Sequence, residues 1–377
     1  MPETLLAPSA AAVSWTRREI DQQPETLRAT QALLSAGRAA TEAFLLPLLA
    51  RPELRVVLTG AGTSAFIGEC LAPWLSTRLG RLVEAIPTTD IVSAPALHLR
   101  RDAPVLLVSF GRSGSSPESV AAVDLVDAQV AEAHHLIVTC NAEGQLAQRG
   151  GARTHVLILP EATHDRGFAM TSSFTAMMLA ALSALGGIAD MDARVPAIAA
   201  AVEDVLARTD TMVAGLANRG FDRVVYLGSG VFKGLAREAA LKLMELSDGA
   251  VVTAFDTTLG FRHGPKTIVT DRTLAVVFVS NDPLTRRYDL DMIEELRSDA
   301  RCGALVVVSA QAGDGAEITV RGLAHAADAD LLFPFIAPAQ AFALHVSEML
   351  GLTPDRPNAS GTVNRVVQGV RIHALPA

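Results

Sequence analysis

Residues 54–75, LRVVLTGAGTSAFIGECLAPWL, pass from an apolar strand pattern through a Gly-Ala-Gly-Thr-Ser turn into a helical pattern. The same order returns at residues 223–246, RVVYLGSGVFKGLAREAALKLMEL. A strand, a glycine turn and a helix met twice in one chain read as an internal duplication. Further out, the first copy is followed by the strand-like runs APVLLVSF, HLIVTC and HVLILP, and the second by LAVVFVS and ALVVVSA, with helical patterns between. Strands that are apolar at nearly every position, not at alternate ones, are buried on both faces, which predicts parallel sheets covered by helices on each side. The expected fold class is α/β, built as two parallel-sheet sandwiches.

The chain has 377 residues, a prior for two to three domains. Residues 1–37 read as a helical lead-in around Trp15, 38–191 as the first domain, 192–220 as a helical linker and 221–350 as the second domain. The end, 351–377, is assigned to the active-site region as a docked arm, with a frayed tail as the alternative. Residues 168–189 are uncharged and as long as a membrane span, but they hold Thr171, Ser172, Ser173, Thr175, Ser183 and a Gly-Gly pair, and no second such span accompanies them. A buried helix is expected there, with no membrane partner.

Half the residues are hydrophobic and the net charge is −8, so a packed core is available while bulk attraction to a phosphate backbone is not. With no Lys/Arg run, nucleic acid is excluded as a partner. Cys70, Cys140 and Cys302 are odd in number and lack CxxC spacing, so neither a disulfide framework nor a thiolate zinc site is expected, and a reducing cytoplasm fits. The start, MPETLLAPSAAAVSW, lacks the basic residues of a secretory signal.

In open parallel sheets ligands bind beyond the carboxyl ends of the strands, so the loops after the strands carry the chemistry. Gly60 to Ala65 matches a dinucleotide fingerprint, with Glu84 downstream, although a lone match is weak. The loop SFGRSGSSPES, residues 109–119, sets Arg112, Ser113, Ser115 and Ser116 directly before a helix that opens with Pro117, and Ser115 to Glu118 has capping-box spacing. One such serine would be only a turn or a cap. This density of hydroxyls, beside an Arg and a helix N-terminus, suits a phosphate.

At 100° per residue, Glu238, Lys242 and Glu245 share one face of a helix whose other positions are mostly apolar. A surface ion pair is the plain alternative. If the stripe is buried, Glu245 is a general-base candidate whose basicity burial and Lys242 tune in opposite directions. Downstream, LGFRHGPKT places Arg262, His263 and Lys266 around a Gly-Pro turn, where His263 can serve as a mobile acid or base. His134-His135 and His164-Asp165 complete no metal constellation, so no metal and no redox cofactor is expected.

Taken together, GAGTS, SFGRSGSSPES, AREAALKLMEL and FRHGPK resemble the sugar isomerase (SIS) family, whose paired domains bind phosphosugars. The longer strings LTGAGTSAFIG, SFGRSGSSPESVAAV, THDRGFAMTSS, GFRHGPK, YDLD and SGTVNRVVQGV are similar to its AgaS-type branch, galactosamine-6-phosphate deaminase/isomerases also known as tagatose-6-phosphate ketose/aldose isomerases. The resemblance implies two SIS domains of flavodoxin-like, doubly wound type, and a cytoplasmic enzyme that turns galactosamine 6-phosphate into tagatose 6-phosphate and ammonia. By the same resemblance Ser64, Ser113 and Ser116 hold the phosphate, with Arg112 where a relative has a glutamine and Gly111 where it has a serine. Glu245 moves the proton between carbons 1 and 2, and Lys242 assists it. His263 opens the sugar ring from a neighbouring subunit of a homodimer or larger homo-oligomer. Gly62, Thr63, Thr171 and Glu238 are sugar-binding or supporting. The C-terminal lysine of related enzymes has no counterpart in SGTVNR, which leaves Asn364 and Arg365 as substitutes. The alternatives are a plain ketose/aldose isomerase, a non-catalytic phosphosugar sensor and, from the Gly60 loop, a nicotinamide-dependent dehydrogenase.

Overall fold

A computed structural model of the chain describes residues 13–367 and 369–374. The first half holds β1 (Arg55–Thr59), β2 (Val83–Ala85), β3 (Val105–Gly111), β4 (Ala133–Thr139) and β5 (Thr154–Ile158), in the order β2-β1-β3-β4-β5 with every neighbour parallel. The second half holds β6 (Arg223–Gly228), β7 (Val252–Asp256), β8 (Thr273–Phe278), β9 (Ala304–Ser309) and β10 (Ile318–Thr319), in the order β7-β6-β8-β9-β10, again all parallel. Adding five to each strand number carries one sheet into the other, so the duplication extends to topology. The strands without a continuous apolar run in the sequence, β2, β7 and β10, all lie at sheet edges, where less of the strand needs to be covered.

The same turn device opens both halves. At Gly60 and at Gly228 a Cβ would lie 2.6 Å from atoms of the residue four positions on, and Gly62 and Gly230 take φ of +56° and +59°. Glycine alone fits both demands, and it brings the helix start close against the end of its strand.

One apolar cluster spans both halves, joining Leu58 and Leu71 to Leu235 and Leu243 through the buried helices Ser172–Gly186 and Asp328–Met349 and the buried face of Ile188–Ala217. Separate clusters cover the opposite face of each sheet. All but the last three residues of the stretch expected to be a linker, 192–220, lie within the 30-residue helix Ile188–Ala217, which packs on Gln23–Ala36 and on Asp328–Met349. It is a core element as well as a connection.

The uncharged stretch 168–189 contains helix Ser172–Gly186, buried along its length except at Ala184. The expectation of no second apolar span needs correction. Helix Asp328–Met349 is long and apolar enough to cross a membrane by composition, and 94% of that window is buried inside the protein. Two prolines, Pro334 and Pro338, and the charges of its first turn distinguish it from a simple apolar run in the sequence.

Candidate active site

Helices Thr63–Leu79 and Phe232–Leu246, one from each half, meet almost backbone to backbone, since a Cβ on Gly234 would lie 2.6 Å from the Cys70 nitrogen. This close approach sets the first turn of one helix against the charged stripe of the other. Lys242 Nζ lies 2.5 Å from Glu245 Oε2, 3.4 Å from Glu238 Oε1, and donates to Thr63 Oγ1 at 2.9 Å. Thr63 in turn donates to Glu238 Oε1 at 3.2 Å.

Glu238 and Lys242 are wholly buried, whereas the Glu245 side chain keeps 25% exposure. Burial pushes the Glu238 carboxyl up to about 8, against the pull of Lys242. For Lys242, burial favours the neutral amine, but Glu238 and Glu245 outweigh it and raise its pKa. The lysine is therefore an ammonium that orients Glu245, and the desolvated carboxyl is Glu238 rather than the general-base candidate.

In the phosphate loop, β3 ends at Gly111, and helix Pro117–Gln129 begins after an N-cap at Ser116 that places no side chain on the first-turn N–H groups. The expected capping box is not formed. Pro117 holds Ser116 extended, at φ −64° and ψ 136°, so the cap falls one residue later than the Ser115–Glu118 spacing suggested. Ser115 Oγ instead accepts from Gln145 N at 3.0 Å, and Ser116 Oγ donates to Ser119 Oγ at 2.6 Å. Asn141 Nδ2 holds the Ser113 carbonyl at 2.9 Å. These bonds within the protein fix the shape of the loop. The corresponding helix of the second half, Pro283–Asp299, is closed by its own Asp282, which accepts from Leu284 N and Thr285 N. Of these two helix starts, the one in the first half is open to an anion. Ser64 is buried in the first turn of Thr63–Leu79, beside Thr63.

Arg112 departs from expectation. It is 6% exposed, and its Nη atoms donate to the carbonyls of Phe168, at 3.3 Å, and Arg365, at 2.7 Å. A phosphate would have to share it with these carbonyls. Burial and the nearby Arg365 lower its pKa, while Asp165 and Glu245 counter them. The tail is docked at this point: the Arg365 guanidinium bonds the Asp165 carbonyl, and Asp355 accepts from Trp15 N and Thr16 N. Among the described residues, Asn364 bonds through its side chain only within the tail, to the Gly361 carbonyl.

Sequence reasoning missed Asp165. Fully buried, it accepts from Thr171 N at 2.8 Å, Ser173 N at 2.9 Å and the hydroxyls of Ser172 and Ser173, satisfying the start of the buried helix. An acid shortly before a Thr-Ser-Ser run was the available signal. Thr171 is therefore engaged through its backbone, and its hydroxyl is buried without a partner among the described residues. Glu84, aligned with the ribose carboxylate of a dinucleotide site, forms a two-bond pair with Arg55.

His263 is exposed on the turn after helix Thr258–Phe261 and makes no side-chain hydrogen bond to another described residue. Its neighbours are engaged: Arg262 Nε binds Glu295 at 2.6 Å, and Lys266 binds Asp299 at 2.5 Å and also Glu295.

Comparison with known proteins identifies relatives over the length of the chain. The SIS domain family matches residues 48–185. The AgaS protein of Streptomyces coelicolor is 52% identical over 371 residues, covering 96% of this chain and 95% of that one. The D-galactosamine-6-phosphate deaminase AgaS of Escherichia coli is 45% identical over 384 aligned positions, covering 100% of both. The crystal structure of tagatose-6-phosphate ketose/aldose isomerase from Escherichia coli superposes with a TM-score of 0.89 at 41% identity, over 99% of this chain and 100% of that one.

Proposed function

Because the chain belongs to the sugar isomerase (SIS) family, in its AgaS-type branch, we propose that it converts D-galactosamine 6-phosphate and water to D-tagatose 6-phosphate and ammonia. The observation that carries the reading is the pairing of an open, hydroxyl-lined helix start with a partly exposed carboxylate held by a buried ammonium. The phosphate sits against Ser64, Ser113, Ser115, Ser116 and the first turn of Pro117–Gln129. His263 protonates the ring oxygen and opens the pyranose to its aldehyde. Glu245 removes the proton from carbon 2 while the carbonyl oxygen takes back, through solvent, the proton its hydroxyl lost on ring opening, giving an enolamine, and Glu245 then delivers its proton to carbon 1. The product is an imine at carbon 2, which water hydrolyses to the ketose and ammonia. Acid–base groups of this kind each contribute about 10²- to 10⁴-fold.

The docked tail closes the site beside Arg112, and His263 comes from a second copy of the chain in a cytoplasmic homo-oligomer. In support, His263 follows the edge strand β7, where Val252 and Phe255 are exposed apolar residues, and Leu259 on the short helix between them and His263 is exposed as well. The free thiols of Cys70, Cys140 and Cys302 fit a reducing compartment.

Ammonia release from galactosamine 6-phosphate, compared with glucosamine 6-phosphate while tagatose 6-phosphate is followed in parallel, tests the reading. Equal yields of ammonia and tagatose 6-phosphate are expected. Interconversion of tagatose and galactose 6-phosphates with no ammonia would leave the plain isomerase, the activity named for the Escherichia coli crystal structure.

A further inference from the structure

Asp289, in the YDLD string, is wholly buried on helix Pro283–Asp299, on the same apolar face as Met292, Ile293 and Leu296. A carboxylate there is unfavourable unless its oxygens are bonded, and they are. Oδ1 accepts from Ser229 Oγ and from Thr258 Oγ1, both at 2.9 Å, and the two hydroxyls lie 2.9 Å from each other. Oδ2 accepts from Ser280 N at 3.0 Å.

These partners come from three loops beyond the carboxyl ends of the second sheet. Ser229 lies in the glycine turn that launches the helix of Glu238, Lys242 and Glu245. Thr258 opens the short helix that ends two residues before His263. Ser280 follows β8 as Arg112 follows β3, given the registers Leu227↔Val277 and Thr59↔Ser109. Where the first half places Arg112, bonded to carbonyls, the second half places Ser280 on its own buried carboxylate.

The same helix also holds the far side of the turn, through Glu295 to Arg262 and through Glu295 and Asp299 to Lys266. His263 alone among the charged or titratable side chains of the RHGPK string stays unbonded and outward.

We propose that Asp289 is a positioning residue: it ties the His263 turn to the start of the Glu245 helix and so sets where the ring-opening histidine stands. The role rests on the deaminase reading above and holds whether His263 serves its own chain's site or a second copy's. Asp289 reaches the substrate only through His263, so its loss should lower kcat with galactosamine 6-phosphate while leaving KM, which the phosphate loop of the other half governs, within about twofold. A displaced catalytic group costs about 10- to 100-fold.

The test is a double-mutant cycle of Asp289→Asn with His263→Ala, read as kcat and KM for ammonia release alongside thermal unfolding, with the exposed Asp291→Asn as control. Asp289→Asn should lower kcat about 10- to 100-fold in the native background and by less than about twofold when His263 is already Ala, because residues acting as a unit are non-additive. If Asp289→Asn does not fold, Thr258→Val, which removes one hydroxyl from the knot, is carried through the same cycle. An active wild type in which the variant matches wild-type kcat, or adds its full loss to that of His263→Ala, overturns the positioning role alone. A wild type that releases no ammonia overturns the reading of the site, and the proposal with it.

Discussion

Lys242 is the hinge of the site's chemistry at the scale of single residues. Its ammonium lies between a wholly buried carboxyl and a partly exposed one, so the two acids differ in charge behaviour although they share a helix face. Glu245→Gln should leave the fold and sugar binding intact while exchange of the carbon 2 hydrogen with deuterated solvent falls to background, since an amide accepts no proton. Mass spectrometry of recovered substrate checks this. Persistent exchange would move the base to another residue.

Glu238 gives a prediction in pH. Its carboxyl is held near 8, above its ordinary 4.5, so between those values the folded chain keeps a proton that the unfolded chain releases. The resulting stabilisation is complete below about 4.5 and is lost as pH rises toward about 8. Glu238→Gln removes this titration. Wild type should therefore lose Tm relative to the Gln variant on going from about pH 5 to about pH 8. Glu19, held near 7 by burial and by Asp165, titrates in both proteins and cancels. A difference in Tm that does not change with pH would show that Glu238 is ionised throughout.

At the scale of elements, two helix starts and one buried helix decide what the loops can do. Ser116 leaves the start of Pro117–Gln129 open, whereas Asp282 closes that of Pro283–Asp299. Ser113→Ala and Ser116→Ala should each raise KM for the phosphosugar more than they lower kcat, by about 1.5–3 kcal/mol for a hydrogen bond to a charged group. Steady-state kinetics decides this, and an unchanged KM in both variants would place the phosphate elsewhere. Asp165→Ala orphans two buried N–H groups and two hydroxyls at the start of Ser172–Gly186. At about 1–3 kcal/mol for each buried group left unpaired, urea unfolding should show a loss of several kcal/mol. Asp165→Asn should recover part of it. Activity should fall as well, because the following Phe168 carbonyl holds Arg112.

At the scale of the whole molecule, the two sandwiches share one core, and a helix from each half meets the other at the charged stripe. The duplication is symmetric in topology, whereas in the proposed reaction the first half would supply the phosphate loop and the second the charged stripe and the His263 turn. Mixing inactive Glu245→Gln chains with inactive His263→Ala chains tests whether the site also spans two chains. After subunit exchange, hybrid dimers should regain up to about half of wild-type activity per dimer, one site in two being intact. No recovery would assign both residues to one chain's site.

Features that depend on local geometry were legible in the sequence. Continuous Val/Ile/Leu runs require burial on both faces, so the parallel sheets and their repeat followed from it. Helical periodicity alone put Glu238, Lys242 and Glu245 on one face, and the serine-rich loop before Pro117 announced a helix start able to receive an anion. What only the tertiary structure decided lies in contacts between residues far apart along the chain. The stripe lies against Thr63, which makes Glu238, not Glu245, the desolvated acid. Arg112 meets carbonyls 56 and 253 positions away, and so ties its loop to the tail. Asp289 joins Ser229 and Thr258 across 60 and 31 positions. Burial and partner choice are properties of packed surfaces, and no local pattern of residues encodes which surface a side chain will meet.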